Sequence, residues 1–91
     1  MININFLLLG LSGAGSYFAK ELARFLGTCR DERISSTLYV LDPDDVTELD
    51  AENGAYLYDD IGWNRAGVMH GVLSAAYTDL NIVAYANILD E

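Results

Sequence analysis

Gly10, Ser12, Gly13 and Gly15 follow a continuously apolar run, Phe6 to Leu9, and lead into a segment of helical spacing. A glycine-rich turn between a strand and a helix suits phosphate chemistry. Its backbone N–H groups and the positive end of the helix face one space, and no side chain is needed to hold the anion. Gly10 would make the tight turn, and Gly15 would let the helix pack closely on the strand. Ser12 stands where the dinucleotide fingerprint Gly-x-Gly-x-x-Gly has its second glycine, yet its backbone N–H can still face a phosphate. Asp42 follows a second apolar run, and an acid at the carboxyl end of that strand can accept both hydroxyls of a ribose. The chemistry these residues suggest is nucleotide binding.

The elements that must position them are readable from periodicity. Ile2 to Asn5 alternates and Phe6 to Leu9 is continuously apolar, which gives a strand running from an exposed end into a buried middle. Ala14 to Leu26 reads as a helix, with Phe18, Leu22, Phe25 and Leu26 at helical spacing and Gly27 as its C′ residue. Thr28 to Ser36 is a polar loop holding Cys29, a free thiol on this reading, and Thr37 to Leu41 is a second strand. Asp42 to Asp60 carries eight of the fourteen acids and is expected to be irregular with a short helical turn. A second helix, capped by Asp59 or Asp60, is expected from about Ile61 to Ala76, its apolar side holding Ile61, Val68, Val72 and Leu73. A third strand closes the chain at Asp79 to Leu89.

The order β-α-β-α-β makes this an α/β, Rossmann-like half-fold, one domain over residues 1–91, with a three-stranded parallel sheet of order 3-2-1. Both helices should then cover one face of the sheet. The other face and the free edge of the first strand stay bare, so the chain is expected to form a homo-oligomer or to be part of a larger protein.

Composition narrows the partners. Fourteen acidic residues against five basic ones give a net charge of −9, with no Lys/Arg cluster, which argues against nucleic acid or an anionic membrane as a partner. One cysteine allows no internal disulfide and no Cys-x-x-Cys metal site, and "FLLLGL" is too short to span a bilayer and lacks a preceding positive charge. A reducing, cytoplasmic setting is the default.

Three ordered blocks resemble the ThiF/MoeB family of ATP-dependent adenylyltransferases, which includes the ubiquitin-activating enzymes. They are Leu8-Leu9-Gly10-Leu11-Ser12-Gly13-Ala14-Gly15-Ser16, Leu41-Asp42-Pro43-Asp44-Asp45-Val46 and Asp59-Asp60-Ile61-Gly62-Trp63-Asn64-Arg65-Ala66. The family shows "GxGGxGS", "DxDxVxxxNxxRQ" and "DIGxxKA" at these places. The resemblance runs from Phe6 to about Tyr85, the first half of the family's catalytic domain. It implies ATP and Mg²⁺ as cofactors and a ubiquitin-like or sulfur-carrier protein, adenylated at its C-terminus, as partner. Carried over by position, Gly10, Ser12, Gly13 and Gly15 form the nucleotide loop and Asp42 holds the ribose. Asp44 matches the second acid of "DxD" as a polar contact, and Arg65 stands where the family places a phosphate-contacting lysine.

The sequence also departs from the family. Gly54-Ala55 occupies the place of Arg-Gln in "NxxRQ", although Asn53 stands nearby, and no arginine or lysine occurs between Arg33 and Arg65. The metal-binding aspartate of the family's second half has no counterpart in these residues. Adenylyl transfer is therefore expected to need a partner or a missing segment, and no catalytic residue is assigned.

The remaining chemistry-bearing side chains have simpler readings. His70 is a packed or solvated histidine, Trp63 a packing anchor, Tyr56 and Tyr58 packing residues, and Ser12 and Ser16 lack a base that would make either a nucleophile. Two alternatives to a nucleotide-binding half-domain stay open: a non-catalytic interaction module, and a fragment of an NAD-dependent oxidoreductase, whose ribose Asp42 would also suit.

Overall fold

The computed structural model describes residues 2–28 and 33–86. Cys29 and the last residues expected in the third strand lie outside them. Strand β1 (Ile2–Leu9) leads through the glycine loop into helix α1 (Gly13–Thr28), and strand β2 (Ile34–Leu41) follows. Short helix α2 (Glu48–Glu52) and a 3₁₀ turn (Tyr58–Asp60) come next, then helix α3 (Arg65–Ala76) and strand β3 (Asn81–Tyr85). The strands form one parallel sheet in the order β1-β2-β3, the expected α/β arrangement. Leu7 lies opposite Tyr39 and Leu9 opposite Leu41, while Leu38 lies opposite Ile82.

Residues of alternate register meet the helices. Leu38, Val40 and Ile82 pack with Ala19 and Ala23 of α1 and with Ala66, Met69 and Leu73 of α3, so both long helices lie on one face. On the opposite face Leu7 is 63% and Leu9 58% exposed, and the Tyr39 and Tyr85 rings stack with centroids 6.3 Å apart. The expected bare face is present among the described residues.

Several details correct the sequence reading. The buried stripe of α1 is Ser16, Ala19 and Ala23, whereas Phe18 and Phe25 are exposed. Small residues let the helix sit close to the sheet, and Gly27 continues that stripe. It is inside α1 rather than its C′ residue, and a Cβ there would come within 2.7 Å of the Tyr77 ring. The strand β2 begins at Ile34, earlier than the polar pattern indicated.

The second long helix begins at Arg65, not near Ile61, and its N-cap is Asn64, whose Oδ1 accepts the Gly67 N–H at 3.0 Å. The preceding residues pair with the segment after β2. Gly62 N–H donates to the Val46 carbonyl, Val46 N–H to that of Trp63, and Arg65 N–H to that of Asp44. Backbone committed to those bonds cannot also be helix. Asp60 instead accepts the Leu57 N–H within the 3₁₀ turn. Trp63 is 68% exposed, so its backbone, not its ring, is the anchor. The expected helical turn in the acidic segment is α2, closed by a capping box in which Thr47 Oγ1 accepts the Asp50 N–H and Asp50 Oδ2 accepts the Thr47 N–H.

Candidate functional site

The glycine loop is built at the carboxyl end of β1. Gly10 N–H donates to the Leu41 carbonyl at 2.9 Å, carrying the ladder one residue past the strand. Gly10 then turns with φ +88°, a conformation that favours glycine. Gly15 sits directly beneath it, and a Cβ on Gly15 would collide with the Gly10 carbonyl. The Ser12 carbonyl accepts the Ser16 N–H and so opens α1, while Ser12 itself is exposed. A Cβ at Gly10 or Gly13 meets nothing within 4 Å, so the space over the loop is open.

Leu11, fully buried, holds the loop at both of its peptide groups. Its N–H donates to Asp42 Oδ2 at 2.7 Å, and its carbonyl accepts the Tyr56 hydroxyl at 2.6 Å. Tyr56 is buried, and burial pushes its phenol well above the ordinary value, so it stays protonated as a donor. Ser16 is buried too, with its hydroxyl donating to the Gly13 carbonyl at 2.8 Å.

The acids after β2 divide their work. Asp42 is only 3% exposed, and its Oδ1 accepts the Asp44 N–H at 2.9 Å while Oδ2 takes Leu11. Its carboxylate points at the protein. The Asp44 side chain is 73% exposed, at 3.7 Å from Arg65. Arg65, its side chain 12% exposed, binds Asp50 through Nε and Nη2, both at 2.9 Å, and reaches Asp42 at 3.5 Å. The guanidinium expected to face phosphate is directed at three carboxylates. Burial works against its charge, but Asp50 and Asp42 hold it firmly protonated. Asn64 ties the group together, its Nδ2 donating to the Asp42 carbonyl at 2.8 Å.

Beside the loop lies a cleft of about 230 Å³ lined by Gly13, Ser16, Tyr17, Lys20, Asn53, Gly54 and Ala55. Lys20 Nζ donates to the Ala55 carbonyl at 3.2 Å, across the cleft wall. The structure therefore brings Gly10, Ser12, Gly13 and Gly15 together above Asp42 and places Gly54-Ala55 next to them. Sequence reasoning missed Lys20, although positions 13, 16, 17 and 20 share one helix face by spacing alone. His70 lies on α3 at intermediate exposure, outside the cleft lining. Among the described residues no three His, Cys, Asp or Glu side chains converge to hold a metal ion, and no helix is long and apolar enough to cross a membrane.

A parallel three-stranded sheet with a pinned glycine turn before its first helix defines an α/β, Rossmann-like fold. Solved structures of PaaA, MccB and TcdA, proteins of the ThiF/MoeB type, share this fold. PaaA aligns with a TM-score of 0.72 at 21% identity, covering 99% of this chain and 25% of PaaA. E. coli MccB solved with ATP gives 0.72 at 21% identity, covering 98% of this chain and 24% of MccB. E. coli TcdA, a tRNA N6-threonylcarbamoyladenosine dehydratase solved with AMP, gives 0.69 at 22%, covering 97% and 32%. The chain thus spans about a quarter to a third of the length of these proteins. No protein-family model and no curated protein sequence matches it. The resemblance read from the three sequence blocks is borne out in the fold.

Proposed function

We propose that this chain is an adenine-nucleotide-binding unit of the ThiF/MoeB type. It is related to enzymes that adenylate the C-terminus of a ubiquitin-like or sulfur-carrier protein, and it needs a partner or further chain for adenylyl transfer. The observation that carries this reading is the preformed loop. Leu11 is fixed at both peptide groups, Gly15 is seated under the Gly10 carbonyl, and open space lies above Gly10 and Gly13. A loop already ordered in this way loses little entropy when a phosphate binds.

The donor set fits ATP. Backbone N–H groups of Ser12, Gly13 and the first turn of α1 suit phosphate, and Asp44, exposed just after Asp42, is open to a ribose. Asp42 and Arg65 act beneath them, holding the loop and the segment that carries Asp44. Mg²⁺ would arrive with the phosphates, because no three acids among the described residues are arranged to hold a metal ion. TcdA solved with AMP and with ATP, and MccB solved with ATP, support an adenine nucleotide over NAD. MccB solved with MccA supports a peptide-like partner for the larger assembly. The missing Arg-Gln at Gly54-Ala55 supports binding without turnover, since a cation placed against developing charge is worth orders of magnitude in rate.

Calorimetric titration of the chain with ATP, AMP and NAD tests this. ATP and AMP should bind more tightly than NAD, and Gly13→Asp should abolish binding while leaving the fold intact, since a side chain there meets nothing. No heat with millimolar ATP in a folded chain sinks the reading. Tighter NAD binding would favour the oxidoreductase fragment instead.

The open sheet face favours a second reading, a self-associating module. Leu7 and Leu9 on β1 and Tyr85 on β3 are exposed on the sheet face that the described helices leave open, and β1 and β3 are outer strands that other strands can extend. A nucleotide-independent dimer in sedimentation equilibrium, dissociated by Leu7→Glu, would support it; a monomer at every concentration would remove it.

A further inference from the structure

We infer that Lys20 contacts the distal phosphates of the bound nucleotide, supplying from α1 the positive charge that the 53–55 turn lacks; this rests on the nucleotide reading above. Lys20 is the one charged side chain lining the 230 Å³ cleft among the described residues, and no carboxylate lines it. In a chain of fourteen acids and five basic residues, such a cleft is an exception to the general charge and suits an anion.

The geometry sets which part of the nucleotide Lys20 reaches. Gly13 and Lys20 are seven residues apart, about 10 Å along the helix axis. Long helical side chains lean back toward the N-terminus, so the lysine stem runs toward the loop. A nucleotide whose first phosphate sits at the loop then carries its later phosphates along the cleft toward the ammonium. The hydrogen bond to the Ala55 carbonyl fixes the ammonium at the cleft wall and uses one of three donors. Gly54, with φ +79° and no side chain, leaves the cleft open beside it, and Asn53 adds an amide to the lining. Cation and turn have exchanged places relative to a turn that carries its own arginine.

The test titrates ATP, AMP and adenosine into the wild-type chain, Lys20→Gln and Lys20→Arg by calorimetry, with circular dichroism to confirm the fold. Lys20→Gln should weaken ATP binding about tenfold, a charge-assisted bond's worth, weaken AMP less and leave adenosine unchanged. Lys20→Arg should recover most of the ATP affinity. Wild-type ATP affinity should also fall more steeply with salt than that of Lys20→Gln. Unchanged ATP binding in Lys20→Gln overturns the inference and leaves the nucleotide reading standing. Equal losses for ATP and adenosine overturn it too, by assigning Lys20 to the turn alone. A wild-type chain that binds none of the three overturns both.

Discussion

The backbone N–H of Leu11 donates to the carboxylate of Asp42 at 2.7 Å, a buried bond that joins the glycine loop to the end of the neighbouring strand. Asp42 also receives the Asp44 N–H and lies 3.5 Å from Arg65. Asp42, read from sequence as a ribose ligand, is in the structure a fixing point of the glycine loop. Asp42→Ala should destabilise the chain by about 3 kcal/mol, since it leaves a buried N–H unpaired and Arg65 with one carboxylate fewer. Asp42→Asn keeps only one of the two acceptor oxygens that receive Leu11 and Asp44, so it should lose less than Asp42→Ala but remain destabilised. Urea unfolding measures both, and equal losses would show that the charge or the second acceptor carries the whole effect.

Tyr56 fixes the same residue from the other side, through its hydroxyl and the Leu11 carbonyl. Tyr56→Phe keeps the ring in the core and removes the donor, so it should cost about 1–2 kcal/mol. Because both bonds end on Leu11, Tyr56→Phe and Asp42→Ala together should depart from the sum of the single losses by at least about 0.5 kcal/mol. An additive double-mutant cycle would mean that the two anchors do not act through the loop.

Much of this was legible in sequence, for physical reasons that also explain what was not. The strands, the loop and the order of elements follow from local signals: the apolar run into Gly10, the β-branched run into Asp42-Pro43, and the change of period between them. The face of α1 was misread because Ser16, Ala19 and Ala23 carry a weak hydrophobic signal, although close approach to the sheet needs their small size. The start of α3 was misread because Asp59-Asp60 has the composition of a cap, while pairing of residues 62–65 with 44–46 is a tertiary fact. Lys20 was passed over because its meeting with Ala55 joins residues thirty-five apart, beyond any local pattern.

Gly13 and Gly15 are two residues apart and should respond oppositely to alanine. At Gly13 a Cβ meets nothing, so Gly13→Ala should stabilise the helix by up to about 1 kcal/mol. At Gly15 it collides with the Gly10 carbonyl, and the loop or the helix start must move. Gly15→Ala should cost about 1–3 kcal/mol, the range typical of overpacking. Thermal denaturation of the two variants checks the contrast, and similar shifts would contradict the close approach.

Asp50 makes the stability of the chain depend on acid pH through Arg65. Burial of Asp50 opposes its charge, but hydrogen bonds from the Thr47 backbone and the Arg65 guanidinium outweigh that and hold its carboxyl below the ordinary 3.8. The folded value is lower than the unfolded one, so the contribution is present above the ordinary value. It is lost as pH falls through the folded value. Asp50→Asn removes both the charge and its partner for Arg65, and should cost about 2 kcal/mol at neutral pH. The gap between wild type and Asp50→Asn in urea midpoints should stay constant from about pH 7 to 5 and shrink toward about pH 3. A gap independent of pH over that range would show that Asp50 contributes by its shape and its cap alone, not by its charge.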